Sequence, residues 1–229
     1  MANKYNLMSQ LVFKFPFKTK YYQQDYYVSS NNFSAYRLIE SWPNWPEKWV
    51  NIYGPTGCGK THLSNILKKK ISLIEIFDAK KIDEEKISKF EKLDCLIIDN
   101  YENNIDENFF YSILNHFKQL DTYVVVNSLL PIKNMKLELK DLKSRAESFV
   151  SLGIDLPTDD LLRVIISKSF SDKQMDISPK VSEYIIKNIE RSYEKVFKFI
   201  KEIDDLSLSS GKSININLIK KVLINNEKI

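Results

Sequence analysis

One octapeptide limits this chain more than any other stretch. Gly54, Pro55, Thr56, Gly57, Cys58, Gly59, Lys60 and Thr61 fit G-x-x-x-x-G-K-[ST] in full. Glycines let such a loop wrap so that backbone N–H groups point inward at phosphate oxygens. A helix starting directly after it adds its positive end. The lysine reaches the outer phosphates and the final hydroxyl ligates magnesium. The context agrees. Residues 49–53, WVNIY, read as a buried strand, and THLSNILKKK reads as the helix that follows. The loop therefore requires a strand end beside a helix start, and with it an α/β sheet.

The flanking pattern supplies that sheet. SLIEIFD (72–78), LDCLIIDN (93–100), TYVVVNS (122–128) and FVSLGIDL (149–156) read as four further strands. Between them lie helical patterns: KIDEEKISKFEK, DENFFYSILNHFKQL (106–120) and KLELKDLKSRAES. In the second of these Phe109, Phe110, Ile113, Leu114 and Phe117 share one stripe. Strands and helices in alternation predict a five-stranded parallel sheet covered by helices. After Pro157 the pattern becomes helical throughout. Thr158 is placed to cap TDDLLRVIISKSF, and Ser178-Pro179 to start VSEYIIKNIE. The expected organisation is an extended segment over 1–22, a nucleotide-binding α/β domain over 23–157 and a small helical domain over 158–229.

Composition narrows the function classes. The chain has 229 residues with 43% hydrophobic and 28% charged, ordinary for a globular protein. A formal net charge of +4 with lysines scattered along the chain does not indicate a nucleic-acid surface. The two cysteines, Cys58 and Cys95, show neither metal spacing nor a disulfide framework, which suits a reducing cytoplasm. No apolar run is long enough to span a bilayer, and MANKYNLMSQ does not read as a signal peptide.

A phosphate seat of this kind needs a partner carboxylate at another strand end. LIIDN supplies Asp99, expected to hold the magnesium water shell together with Thr61. Asn100 follows it, where many P-loop ATPases place a second acid to activate water. An amide cannot take that proton.

GPTGCGKTHL, LIIDN, VVVNS, LKSRAES and IERSYEKV, in this order, resemble the AAA+ module of the bacterial replication initiator DnaA and of its short relative, the regulatory inactivator Hda. The resemblance covers nearly the whole chain. It implies a P-loop AAA+ domain with a helical lid, ADP or ATP with Mg2+ as ligand, and nucleotide contacts from Gly54 through His62. It further implies that Val28, with Asn31 and Asn32 nearby, closes over the adenine, and that Asn127 senses the terminal phosphate. Arg145 matches an arginine finger aimed at a neighbouring subunit's nucleotide, and Arg191 matches a second sensor on the lid. Asn100, and Asp141 where initiators tend to be basic, depart from the pattern and weaken the case for hydrolysis by this chain. No helix-turn-helix DNA-binding domain is expected, and so no direct sequence-specific DNA binding.

QLVFKF resembles the short peptide by which bacterial proteins dock on the DNA polymerase sliding clamp. Gln10 would anchor such a strand while Leu11, Phe13 and Phe15 enter a groove. The expected function is an adaptor that docks on the DNA-loaded clamp and presents Arg145 to ATP held by the initiator DnaA. A homodimer is left open. The competing expectations are an independent ATPase such as a helicase loader, a small-molecule P-loop kinase and a DNA-binding truncated initiator.

Overall fold

The computed structural model describes residues 25–83, 85, 87, 92–173, 177–210 and 214–227. The 10–15 peptide lies outside these residues, as do residues 84, 86 and 88–91 of the expected KIDEEKISKFEK helix. Two compact units meet at Leu156 and Pro157 in the sequence.

The first unit is the α/β domain. Its elements are α1 (Phe33–Glu40), β1 (Trp49–Tyr53), α2 (Lys60–Lys68), β2 (Ile74–Asp78), β3 (Cys95–Tyr101), α3 (Glu107–Gln119), β4 (Tyr123–Ser128), α4 (Lys140–Glu147) and β5 (Val150–Gly153). All strand pairs are parallel, in the order β2-β3-β4-β1-β5. This is the five-stranded sheet expected from the alternation. The central strands are buried on both faces, which is why they read as continuous apolar runs rather than alternating ones. On one face α3 presents Phe110, Ile113, Leu114 and Phe117 to a core with Leu96, Ile98, Val124 and Val126. Phe109 packs at its margin.

Two features of the sheet position the site. First, β4 lies between β1 and β3, so the ends of all three adjoin. Second, β3 carries an extra residue near its end. Ile98 pairs with Val126, but the next matched pair is Tyr101 and Ser128. Asn100 absorbs the irregularity with φ 58°. A bulge of this kind re-aims side chains: Asp99 is buried and Asn100 exposed.

The second unit is helical: α5 (Asp159–Ser171), α6 (Pro179–Asn188), α7 (Tyr193–Ser210) and α8 (Ile216–Glu227). Each helix contributes an i, i+3, i+4 stripe to one core, including Leu162, Ile166, Ile185, Phe199, Ile203 and Val222. Thr158 caps α5 by accepting from the Leu161 N–H, and Ser178 caps α6 by accepting from Val181 ahead of Pro179. Among the described residues no helix is long and apolar enough to cross a membrane.

Candidate functional site

The loop between β1 and α2 is held in backbone shapes that only glycine tolerates. Gly54 has φ 154°, and a Cβ there would lie 2.4 Å from the Ile154 carbonyl oxygen. Gly59 precedes α2 with φ 101°, and a Cβ there would meet the Tyr26 ring at 2.9 Å. No side chain caps α2, so its first turn opens its N–H groups to the loop. Lys60 is buried, and its Nζ donates to the carbonyls of Gly54 at 2.7 Å and Pro55 at 3.1 Å. Cys58 Sγ lies 3.8 Å from the same ammonium. Burial pushes the Cys58 thiol above its ordinary value, against the opposing pull of Lys60. It is a packed loop residue rather than a poised thiolate.

Three side chains from three elements converge beside this loop. Thr61 Oγ1, at the start of α2, donates to Asp99 Oδ2 at 2.7 Å. Asn127 Nδ2, at the end of β4, donates to Asp99 Oδ1 at 2.9 Å and to Ser64 Oγ at 2.7 Å. Asn127 is wholly buried, and its Oδ1 has no hydrogen-bond partner among the described residues. An unmade hydrogen bond of this kind costs about 1–3 kcal/mol. The orphaned acceptor is therefore suited to a donor from water or ligand, and it adjoins a hydroxyl–carboxylate pair of the oxygen type that magnesium takes. These residues fit a magnesium-bound phosphate group. Ser64 is a member of the cluster that the sequence did not single out; its place at i+3 from Thr61 on α2 was the available signal.

Asn100 does not join the cluster. Its Nδ2 donates to Asp78 Oδ2 at 3.1 Å, across to the neighbouring strand. The Asp78 carboxyl is held below its ordinary value, first by the Lys80 backbone N–H and then, after a small burial penalty, by Asn100. The position after Asp99 thus offers an amide already committed to a carboxylate.

The 25–32 segment runs along the loop. The Tyr26 ring stacks on Tyr36 with centroids 5.7 Å apart and meets His62 edge-on at 5.3 Å. Val28 is half-buried. Asn32 is buried and its amide closes the turn, accepting from Ser29 N–H and donating to the Tyr27 carbonyl. Asn31 ties the same turn to Asp155 and Leu156 through their carbonyls. Both asparagines therefore shape the segment. Tyr26, which the sequence reading did not single out, is the residue packed on the loop.

Arg145 stands elsewhere. It is half-buried on α4, and its Nε and Nη2 both donate to Asn115 Oδ1 on α3, at 3.2 and 3.0 Å. Glu107, at the start of α3, accepts from the backbone N–H groups of Glu138 and Leu139 at the entrance to α4. The Glu107 carboxyl is lowered by these bonds, that from Leu139 foremost. Asp141 is exposed in the first turn of α4. In the helical unit Arg191 Nη2 pairs with Asp159 Oδ1 at 2.9 Å on a largely exposed surface.

Residues 159–223 match the family model described as Hda, lid domain. The chain is 26% identical over 215 residues to the chromosomal replication initiator protein DnaA of Buchnera aphidicola subsp. Cinara cedri, covering 83% of this chain and 48% of that protein. It thus spans about half the length of this relative. Domain III of the Thermotoga maritima replication initiation protein DnaA superposes with a TM-score of 0.73 at 18% identity, covering 92% of this chain and 98% of that one. DnaA from Aquifex aeolicus bound to AMPPCP gives 0.63 at 20% identity, over 82% and 66% of the two chains.

Proposed function

We propose that this chain, DnaA-like in its AAA+ fold and matching an Hda lid domain over residues 159–223, is a nucleotide-binding adaptor that switches off the replication initiator. Docked on the DNA-loaded sliding clamp, it supplies Arg145 to ATP held by a DnaA subunit, which then hydrolyses that ATP and loses initiating activity.

The observation that carries this reading is the separation of roles within one domain. The loop cluster has the parts that hold a nucleotide: Lys60, Thr61, Asp99 and Asn127. It lacks a carboxylate after Asp99, and Asn100 is committed to Asp78. Arg145 belongs to no part of that cluster; its guanidinium is fixed on Asn115. A chain built this way keeps its own nucleotide and acts on another's.

The chain's own ligand is ADP or ATP with Mg2+. Thr61 and Asp99 would hold the ion, which when bound neutralises phosphate charge. Lys60 would exchange its loop carbonyls for phosphate oxygens. Asn127 would orient the last phosphate from its place between Asp99 and Ser64. Tyr26 and Val28 would wall the base, with Asn31 and Asn32 setting the turn. Arg191 would leave Asp159 to contact phosphate. In the neighbour's site, Arg145 acts by stabilising charge that develops on the transferred phosphoryl group, an effect worth ~10³–10⁵ in rate. Gln10, Leu11, Phe13 and Phe15 would seat the chain on the clamp. Two free buried cysteines accord with a cytoplasmic protein.

The test combines the purified chain, clamp loaded on DNA and ATP-bound initiator, and follows ADP formation. Turnover should rise with all three present, should require the clamp, and should weaken with Gln10→Ala. Turnover that ignores this chain would overturn the reading; turnover that ignores the clamp would remove the docking part of it.

A further inference from the structure

The Arg145 guanidinium on α4 is held by one side chain of α3. One neutral acceptor, Asn115 Oδ1, takes two converging N–H bonds from a single edge of the guanidinium. Among the described residues no carboxylate pairs with it. A guanidinium has five N–H donors, so three remain, two of them on the Nη1/Nη2 end, and the group keeps its full positive charge.

The support behind this contact is also polar and specific. Eight-residue α4 is too short to hold itself in water. Leu142 and Ala146 bury against the core that includes Leu114 and Phe117 of α3. Glu107 then fixes the entrance of α4 through two backbone N–H groups, and Asn115 fixes its last turn through Arg145. Both anchors come from α3.

We propose that Asn115 is the positioning residue for Arg145: it orients the guanidinium for a neighbouring subunit's phosphate while leaving its charge uncancelled. This rests on the reading of Arg145 as a finger acting in trans. An amide serves where a carboxylate would not. Aspartate in the same place would also accept the fork, but would form an ion pair and spend the charge the transition state requires. A side chain too short to accept would leave the arginine to search its rotamers, an ordering cost then met during catalysis.

The experiment titrates each variant of the full chain against ATP-bound initiator and DNA-loaded clamp. It separates the saturating stimulated rate from the half-saturating concentration. Order of the Arg145 Nε–H group is read by NMR, which is tractable because the sequence contains only four arginines, at 37, 145, 163 and 191. Asn115→Ala should lower the saturating rate about two- to tenfold, leave the half-saturating concentration unchanged and release the Nε–H signal to fast motion. Asn115→Asp should keep that signal ordered yet lower the rate at least about tenfold, because it is the charge that carries the finger's effect. A saturating rate in Asn115→Ala equal to wild type, or an effect confined to the half-saturating concentration, would overturn the positioning role. Full stimulation by Asn115→Asp would overturn the requirement for a neutral acceptor. Arg145→Ala is the separate control: stimulation that survives it removes the finger itself, whereas its loss beside an unaffected Asn115→Ala removes only the inference about Asn115.

Discussion

Thr61 Oγ1 donates to Asp99 Oδ2 across 2.7 Å, joining the start of α2 to the end of β3 over the end of β4. The strand order makes this possible, since β4 is the only strand between the two. Asn127 fills the gap it leaves, bonded to the other oxygen of the same carboxylate.

Asp99→Asn tests that arrangement. The variant keeps the shape but removes the charge that would hold a magnesium water shell. Nucleotide affinity should become insensitive to magnesium, falling by about tenfold in its presence and not at all in EDTA. Titration with a fluorescent adenine nucleotide measures both. Equal magnesium dependence in wild type and variant would remove Asp99 from the metal site.

Asn100 yields a prediction in the opposite direction, a gain. A positioned general base contributes about 10²–10⁴ in rate, and this site has an amide where one would stand. Asn100→Glu should raise the chain's own steady ADP production by about 10²-fold, measured without initiator or clamp. No gain, in a variant that still binds nucleotide, would mean that something other than the absent carboxylate limits hydrolysis.

Much of this was legible in the sequence, and the reason is distance along the chain. The phosphate loop and the caps at Thr158 and Ser178 lie within a few residues of what they contact, so motif and pattern reveal them. The strands announced themselves by apolar runs. Their lateral order did not, because alternation says nothing about which strand lies beside which. The contacts that give the candidate site its character span long intervals: Ser64 to Asn127, Asn115 to Arg145, Glu107 to Leu139. An asparagine on a helix rim carries no local sign of the arginine it will hold. Asn32 shows the reverse case, a residue marked by resemblance whose amide is spent on its own turn.

If Arg191 serves as the second sensor on the lid, its ion pair with Asp159 competes with phosphate for the same guanidinium. Exposed pairs of this kind contribute about 0.2–1 kcal/mol. Asp159→Asn should therefore tighten nucleotide binding by about two- to fivefold, and the gain should vanish in the double variant with Arg191→Ala. A gain that persists without Arg191 would show that the pair has no part in binding.

Glu107 links the entrance of α4 to pH. Its folded-state carboxyl lies below the ordinary 4.5, through the Leu139 and Glu138 N–H groups. The sign follows: the contribution is fully present above the unfolded value and is lost as pH falls through the folded one. Hydrogen-exchange protection of the Glu138 and Leu139 amides should fall as the solution is acidified below the ordinary 4.5 of the carboxyl. In Glu107→Gln the same amides should show no such dependence. Protection that stays constant into acid in the parent chain would contradict the anchoring role.

The central claim is that this chain's guanidinium acts on a neighbour's triphosphate. It is tested most directly by single-turnover hydrolysis of radiolabelled ATP preloaded on the initiator, with clamp on DNA and a saturating amount of this chain. Arg145→Ala should still assemble with clamp and initiator, and should lose the acceleration by about 10³-fold or down to the initiator's basal rate. Hydrolysis by the assembled Arg145→Ala complex at the wild-type rate would contradict the account.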